Sequence, residues 1–326
     1  MSAAQRLGFG FLGAPAVPEM VTFARRAEEL GYESVWIAET RFTRDGIAPA
    51  AAIAQATSTI KVATGIVNVY TRGPVLTAIS FASLDEISQG RTIMGLGAGS
   101  PLVLAPQGVS FDKPLTRLRE YAAVVQRLLA GEAVTFKGET IKLLNVQLEL
   151  RPVRAHIPLY LGVTGRRALA LCGEIADGVM MNAFLPTSYT RRAIKQIEAG
   201  AIRSGRTLAA FDTTGALVVS VADDSKTGKD RVRPLIALYL SVFPNIARET
   251  ELDADFILRV RQTFNAQGMD AAGKLIADEV VDALTVAGTV EECKARLAQY
   301  REAGLQMPIL FPVESNIRMA LETLCP

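Results

Sequence analysis

The sequence predicts an α/β protein, a closed (β/α)8 TIM barrel. Short apolar runs alternate with helix-period segments along most of the 326 residues, and eight such runs occur. Polar and glycine residues gather where the runs end, as at Asn68, Gly95–Ser100 and Gly162–Gly165, and those are the ends at which parallel α/β folds bind ligands. An open doubly wound sheet is the alternative. The count of eight argues against it, as does the lack of a dinucleotide glycine fingerprint after the first run.

The first strand is Leu7–Leu12, and a helix from about Pro18 to Leu30 ends at Gly31, the residue type that takes a left-handed conformation after a helix. Ser34–Ala38 is the second strand and Ile47–Thr57 lies in the second helix. Ile60–Val67, the helix Pro74–Ser88 and Arg91–Leu96 form a strand–helix–strand unit. Leu115–Leu129 is helical, with Leu118, Tyr121, Val125, Leu128 and Leu129 on one face. Glu132–Leu150 then reads as a hairpin turning at Lys137-Gly138, an insertion at about 131–155 before the fifth strand. The alternation resumes with strand Pro158–Val163, helix Arg166–Ile175, strand Gly178–Asn182, helix Tyr189–Ser204 and strand Asp212–Val221. A second, helical insertion occupies about 225–285, including Val232–Ser241 and Ala254–Gln267. Thr289 caps the next helix with Glu292 at the capping-box position. Pro308–Val313 is the eighth strand and Ser315–Leu324 the last helix, giving one domain over 1–326.

Composition narrows the function. The 35 basic and 33 acidic residues are mixed, without a basic stripe, so nucleic acid is not an expected partner. No apolar stretch is long enough to span a bilayer, and the N-terminus does not read as a signal peptide, so no membrane is expected. Cys172, Cys293 and Cys325 are odd in number and far apart, which suits a reducing cytoplasm. Alanine-rich, apolar segments at 50–54 and 78–82 exceed what covering a barrel on one side needs, and predict a homodimer.

Several strand ends carry residues suited to chemistry. Gly162-Val163-Thr164-Gly165-Arg166-Arg167 opens a helix with backbone N–H groups, a hydroxyl and two arginines, which reads as a phosphate or carboxylate site. Gly95-Leu96-Gly97-Ala98-Gly99-Ser100 is either a tight turn or a wall pressed against a flat ligand. Glu39 ends the second strand, as a catalytic carboxylate or as the ion-pair partner of Arg41 or Arg44. Trp36 reads as core, and His156, the one histidine, as structural. No spacing supports a metal site or a nucleophile elbow.

The stretches GYESVWIAE (31–39), NVYTRGPVLTA (68–78), ASLDEISQGRTIMGLGAGS (82–100) and GEIADGVMMNA (173–183) together resemble the bacterial luciferase-like superfamily. Within it the chain is similar to the methylenetetrahydromethanopterin reductase group, which uses the deazaflavin coenzyme F420. The resemblance covers almost the whole chain. It implies a cofactor at the C-terminal mouth, with a non-proline cis bond at Gly65–Ile66 behind the tricyclic ring. It also implies that Asn68, Gly97 and Gly99 line the ring or its side chain, that Gly162 to Arg167 meet the phosphate, and that Asn182 completes the set. Many such enzymes carry Asp-His after the second strand, where this chain has Glu39-Thr40, and several have an acid where it has Ser100. Methanopterin reductases carry glutamate where it has Gly10. Glu39 is the acid in matching position, hence the implied catalytic group. The implied activity is hydride transfer between F420 and a small organic substrate; the alternatives are a monooxygenase using reduced FMN and a non-catalytic flavin-binding relative.

Overall fold

A computed structural model describes residues 5–12, 15–39 and 42–326. The strands are β1 (Gly8–Phe11), β2 (Ser34–Ile37), β3 (Lys61–Thr64), β4 (Val67–Asn68), β5 (Thr92–Gly97), β6 (Val134–Lys137), β7 (Lys142–Val146), β8 (Leu159–Gly162), β9 (Gly178–Met181), β10 (Asp212–Val221), β11 (Val286–Gly288) and β12 (Met307–Pro312). Eight of them pair in parallel in the order β1-β2-β3-β5-β8-β9-β10-β12, and β12 pairs back onto β1, which closes the barrel. The antiparallel pair β6–β7 stands apart as the expected hairpin, with its chain reversal at 138–141.

Alternation along each strand divides the apolar residues into two layers. Val35, Ile37, Val62, Met94, Leu96, Leu161 and Val179 pack outward against the helices. Trp36, Ala63, Ile93, Tyr160, Met180, Val218, Ile309 and Phe311 fill the interior. Large interior side chains fit because glycines face them. An ideal Cβ on Gly10 would lie 2.4 Å from the Phe311 ring, and one on Gly178 would lie 2.8 Å from Tyr160.

The local signals behave as their chemistry requires. Gly31 follows the first helix with φ +85°. Thr289 Oγ1 accepts the Glu292 N–H at 3.3 Å, and the Thr289 N–H donates to Glu292 Oε2 at 2.7 Å. Three features depart from the sequence expectation. The third run breaks after Thr64 and resumes as β4; a short helix, Pro101–Leu104, follows β5; and β11 adds a strand beside β10. The helical insertion packs onto the interior layer through Ile236, Leu240, Val260 and Val281, with the Phe184 and Tyr239 rings 4.4 Å apart.

Charges lock the N-terminal end of the barrel. Arg6 donates to Asp212 Oδ1 at 2.6 Å and to Glu33 Oε2 at 2.7 Å, Lys61 donates to Glu33 at 2.9 Å, and the Tyr160 hydroxyl also donates to Asp212. His156 lies at this same end, 2.8 Å from Asp177 Oδ2, which also accepts the Leu159 N–H. Burial opposes the Asp212 charge, but the Arg6 and Tyr160 hydrogen bonds outweigh it and hold the carboxyl below its ordinary value of 3.8. Hydrogen bonds from Arg6 do the same for Glu33, against an ordinary value of 4.5. Depressed carboxylates contribute stability that is present above their unfolded values and lost as pH falls through the folded ones. Denaturation midpoints should therefore hold steady from neutrality to about pH 5 and drop on further acidification. Asp212→Asn should cost roughly 1–2 kcal/mol at pH 7 and flatten that acid limb; a variant with wild-type acid dependence would assign the loss to other groups.

Candidate active site

The C-terminal ends of the strands meet around one side chain. Gly65 faces inward, where an ideal Cβ would lie 2.9 Å from Met180 Cε and 3.4 Å from Trp36. Strict alternation would send Ile66 outward. The Gly65–Ile66 bond is cis, and Ile66 also turns inward across the barrel. A Cβ on Gly97 would sit 2.7 Å from Ile66 Cδ1, and one on Gly162 would sit 2.8 Å from Ile66 Cγ2. A Cβ on Gly95 would strike the Thr64 carbonyl oxygen at 1.8 Å. The glycines of β5 and β8 thus form a notch, and what fills it is Ile66.

Asn68 is buried and turned sideways. Its Oδ1 accepts the Tyr70 N–H at 2.8 Å, and its Nδ2 lies 2.1 Å from where a Cβ on Gly99 would stand. Gly99 has φ +68°, so both space and conformation call for glycine there. Glu39 joins two loops: its Oε1 accepts the Asn68 N–H at 3.2 Å, its Oε2 accepts the Gly46 N–H at 3.1 Å, and Arg72 Nη2 lies 3.8 Å away. The carboxylate and the guanidinium are 16% and 19% exposed. Arg72, which the local sequence did not single out, is thus an ion partner of Glu39; Thr40 and Arg41 lie outside the described residues. The signal for Arg72 was its place in NVYTRGP, as a cation between a strand end and the Pro74 that begins a helix. Glu39, Asn68 and Arg72 line an open cavity of about 520 Å³ with Phe42, Leu76 and Val103, a volume within the range of small-molecule sites.

The turn after β8 is open at its tip. Gly165 is the N-cap of the helix Arg166–Ile175 and gives it no side-chain cap, so the first-turn N–H groups face outward without one. Val163 is buried in the outer layer, and the Thr164 carbonyl accepts the Tyr189 hydroxyl at 2.6 Å. Arg166 and Arg167 are exposed and line a groove between helices rather than the mouth, with Arg166 Nε donating to Gln196 at 3.1 Å. Asn182 is exposed at the end of β9. Among the described residues, no group of His, Cys, Asp and Glu could hold a metal ion, and no helix is long and apolar enough to cross a membrane.

This architecture, a parallel barrel with a broken third strand and glycine-lined strand ends at its mouth, defines the class. The profile of luciferase-like monooxygenases matches residues 3–307, and the chain belongs to that family. It is 31% identical to 5,10-methylenetetrahydromethanopterin reductase of Methanolobus tindarius over 97% of each chain. It is 30% identical to the enzyme of that name from Archaeoglobus fulgidus over 92% of this chain and 91% of that one. The coenzyme F420-dependent tetrahydromethanopterin reductase of Methanopyrus kandleri superposes with a TM-score of 0.88 at 25% identity, covering 98% of both chains.

The notch gives a direct test of packing. Gly97→Ala places a methyl on Ile66 and should cost about 1–3 kcal/mol. Ile66→Ala removes the opposing atoms, so the double variant should be more stable than the sum of the two single losses by about 1 kcal/mol or more. Additive losses in chemical denaturation would contradict the contact.

Proposed function

We propose that the protein is an oxidoreductase that binds coenzyme F420 at the barrel mouth and exchanges hydride with a small organic substrate. The observation that carries this reading is the likeness, over 98% of both chains, to a reductase whose name specifies that coenzyme. The residues at the mouth fit such a group. Ile66, seated in the notch of Gly97 and Gly162, offers an apolar surface for a tricyclic ring. The uncapped helix start at Gly162 to Gly165 offers N–H groups to a phosphate. When bound, the reduced deazaflavin supplies the hydride, and the protein's work is binding, orientation and exclusion of water. Asn68 and Gly99 fix the edge of that surface, and Asn182 offers an exposed amide at β9. The helical insertion at about 225–285 packs on the interior layer and on Phe184 through Tyr239, and substrate choice is assigned to it in this proposal.

The groups that handle protons at this mouth are few. Gly10 stands at the end of β1, where the Phe311 ring takes the space of a side chain. The fitting acceptor is one whose reduction draws no proton from strand one. Glu39 enters this proposal as a positioning residue, because both its oxygens already accept backbone N–H groups. Glu39→Gln should shift cofactor affinity and leave the pH profile of kcat unchanged. A kcat loss of about 10²–10⁴-fold at unchanged affinity would make Glu39 the proton donor instead.

Absorbance titration tests the cofactor. F420 should bind at least roughly tenfold more tightly than FMN, and its reduced form should be oxidised by a member of a panel of small carbonyl, imine and enoate acceptors. Tighter FMN binding with oxygen consumption would establish a monooxygenase, and binding without any turnover a flavin carrier.

A homodimer in a reducing cytoplasm completes the proposal. Leu76, Ile79 and Ile87 lie on one face of the helix Pro74–Ile87 and are 54%, 38% and 38% exposed, beside the alanine-rich helix Ile47–Ala56. Cys172, Cys293 and Cys325 are free thiols. Light scattering should give about 70 kDa, twice the 35.0 kDa chain; a particle of monomer mass at micromolar concentration would refute it.

A further inference from the structure

The helical insertion carries one polar group that the fold does not use. Six of the chain's seven tyrosines place their hydroxyls on a partner, as Tyr189 does on the Thr164 carbonyl and Tyr300 on that of Leu185. The hydroxyl of Tyr239, on the helix Arg233–Val242, has no hydrogen-bond partner among the described residues. Its ring is held between two others, 4.4 Å from Phe184 and 4.9 Å from Phe243. A packed tyrosine normally settles its hydroxyl on a partner, so an unpartnered phenol among apolar rings calls for one. Burial is the one cause acting on its ionisation and pushes it above the ordinary value of 10.0. At neutral pH the group is therefore an O–H donor.

Connectivity places Tyr239 at the mouth. The insertion leaves the barrel at the C-terminal end of β10 and returns through β11, which pairs with Val219–Val221 at that same end. Tyr239 packs on Phe184, three residues beyond the C-terminal end of β9. β9 also supplies Met180, whose Cε would lie 2.9 Å from a Cβ on Gly65. One strand thus bears Met180 against Gly65 and leads into Phe184 against Tyr239, and Ile66 and Tyr239 both pack on the interior layer. Resting on the F420 reading, we infer that Tyr239 is a catalytic residue: its Oη–H holds the oxygen of a neutral carbonyl substrate and protonates it during reduction. The carbonyl carbon gains a hydride, its π electrons pass to oxygen, and that oxygen takes the Tyr239 proton. The carbonyl compound becomes an alcohol, the deazaflavin is left oxidised, and water returns a proton to the phenolate. An aldehyde or ketone is the class that fits. Phe184, Phe243, Met180 and Ile66 offer no charge to an anionic or cationic substrate, and an iminium acceptor would need no proton donor. The proton comes from the insertion, which agrees with Gly10 standing at the end of β1.

Tyr239→Phe keeps the ring and removes the hydroxyl, so the denaturation midpoint and the F420 affinity should match the wild type. Turnover is measured with reduced F420 and cyclohexanone, butanone or benzaldehyde. The variant should lose about 10²–10⁴-fold in kcat on each compound the wild type reduces. Its residual kcat should fall as pH rises, because protons then come from solvent, and should recover with added imidazolium buffer. The wild-type profile should be flat across neutrality. A merely structural role would produce neither the new pH dependence nor the rescue. A variant with wild-type kcat would overturn the assignment, as would a wild type that reduces imines or enoates but no carbonyl compound; both leave the F420 reading intact. Tyrosinate absorbance, taken as wild type minus Tyr239→Phe, reads the same hydroxyl without turnover. It should titrate above 10.0, and higher still once oxidised F420 covers it. A midpoint that F420 does not move would place the phenol outside the mouth and overturn the inference. Failure of F420 to bind, or of its reduced form to be oxidised by any acceptor, would remove the F420 reading and this inference with it.

Discussion

The mouth of this barrel depends on one packing contact, that of Ile66 lying across the interior in the space left by Gly97 and Gly162. A regular third strand would point Ile66 outward, toward the helices. Because β3 stops at Thr64 and the chain resumes as β4, two successive residues face the interior and the strand end becomes a wall. The glycines on β5 and β8 follow from this. They are small because a side chain from another strand occupies their place, a steric requirement within the protein that exists before any ligand arrives. The constraint reaches outward as well: Asn68 packs on Gly99, the Asn68 N–H meets Glu39, and Glu39 ties in Gly46 and Arg72.

Stability and chemistry sit at opposite ends. At the N-terminal end, Arg6, Glu33, Lys61, Asp212 and Tyr160 form a satisfied charge network that closes the barrel. At the C-terminal end the groups are backbone N–H donors, glycines, exposed apolar side chains such as Phe42 and the Glu39–Arg72 pair. That division is general for parallel barrels, in which one rim bears function and the other holds the fold. It also accounts for His156, which sits with Asp177 at the closed rim.

Much of the fold was legible because barrel strands and helices have different periods. The helix Arg166–Ile175, strand Asp212–Val221 and helix Ala254–Gln267 have the bounds that pattern suggests. The break at Gly65–Ile66 was not legible from periodicity, since the mostly apolar IKVATGIV shows no clear alternation that an interruption would disturb; it came from the resemblance to luciferase-like enzymes. β11 was missed because its three residues, Val286–Gly288, are too short to show a period. In the candidate site, residue type marked loops at the strand ends but not side-chain direction. Arg166 and Arg167 follow the glycine turn in sequence, yet the first turn of a helix carries them onto the outer surface. Glu39 was visible as an acid at a strand end, but its partner Arg72 is 33 residues away and joins it only through the fold.

The central claim is that the wall built around Ile66 seats the ring of a deazaflavin and that the turn at Gly162 to Gly165 seats its phosphate. A crystal structure of the protein soaked with F420 tests this most directly. The account predicts ring density against Gly65 and Ile66 and phosphate density at the N–H groups that start the helix Arg166–Ile175. Ring density elsewhere on the chain, with the mouth filled only by solvent, would contradict it.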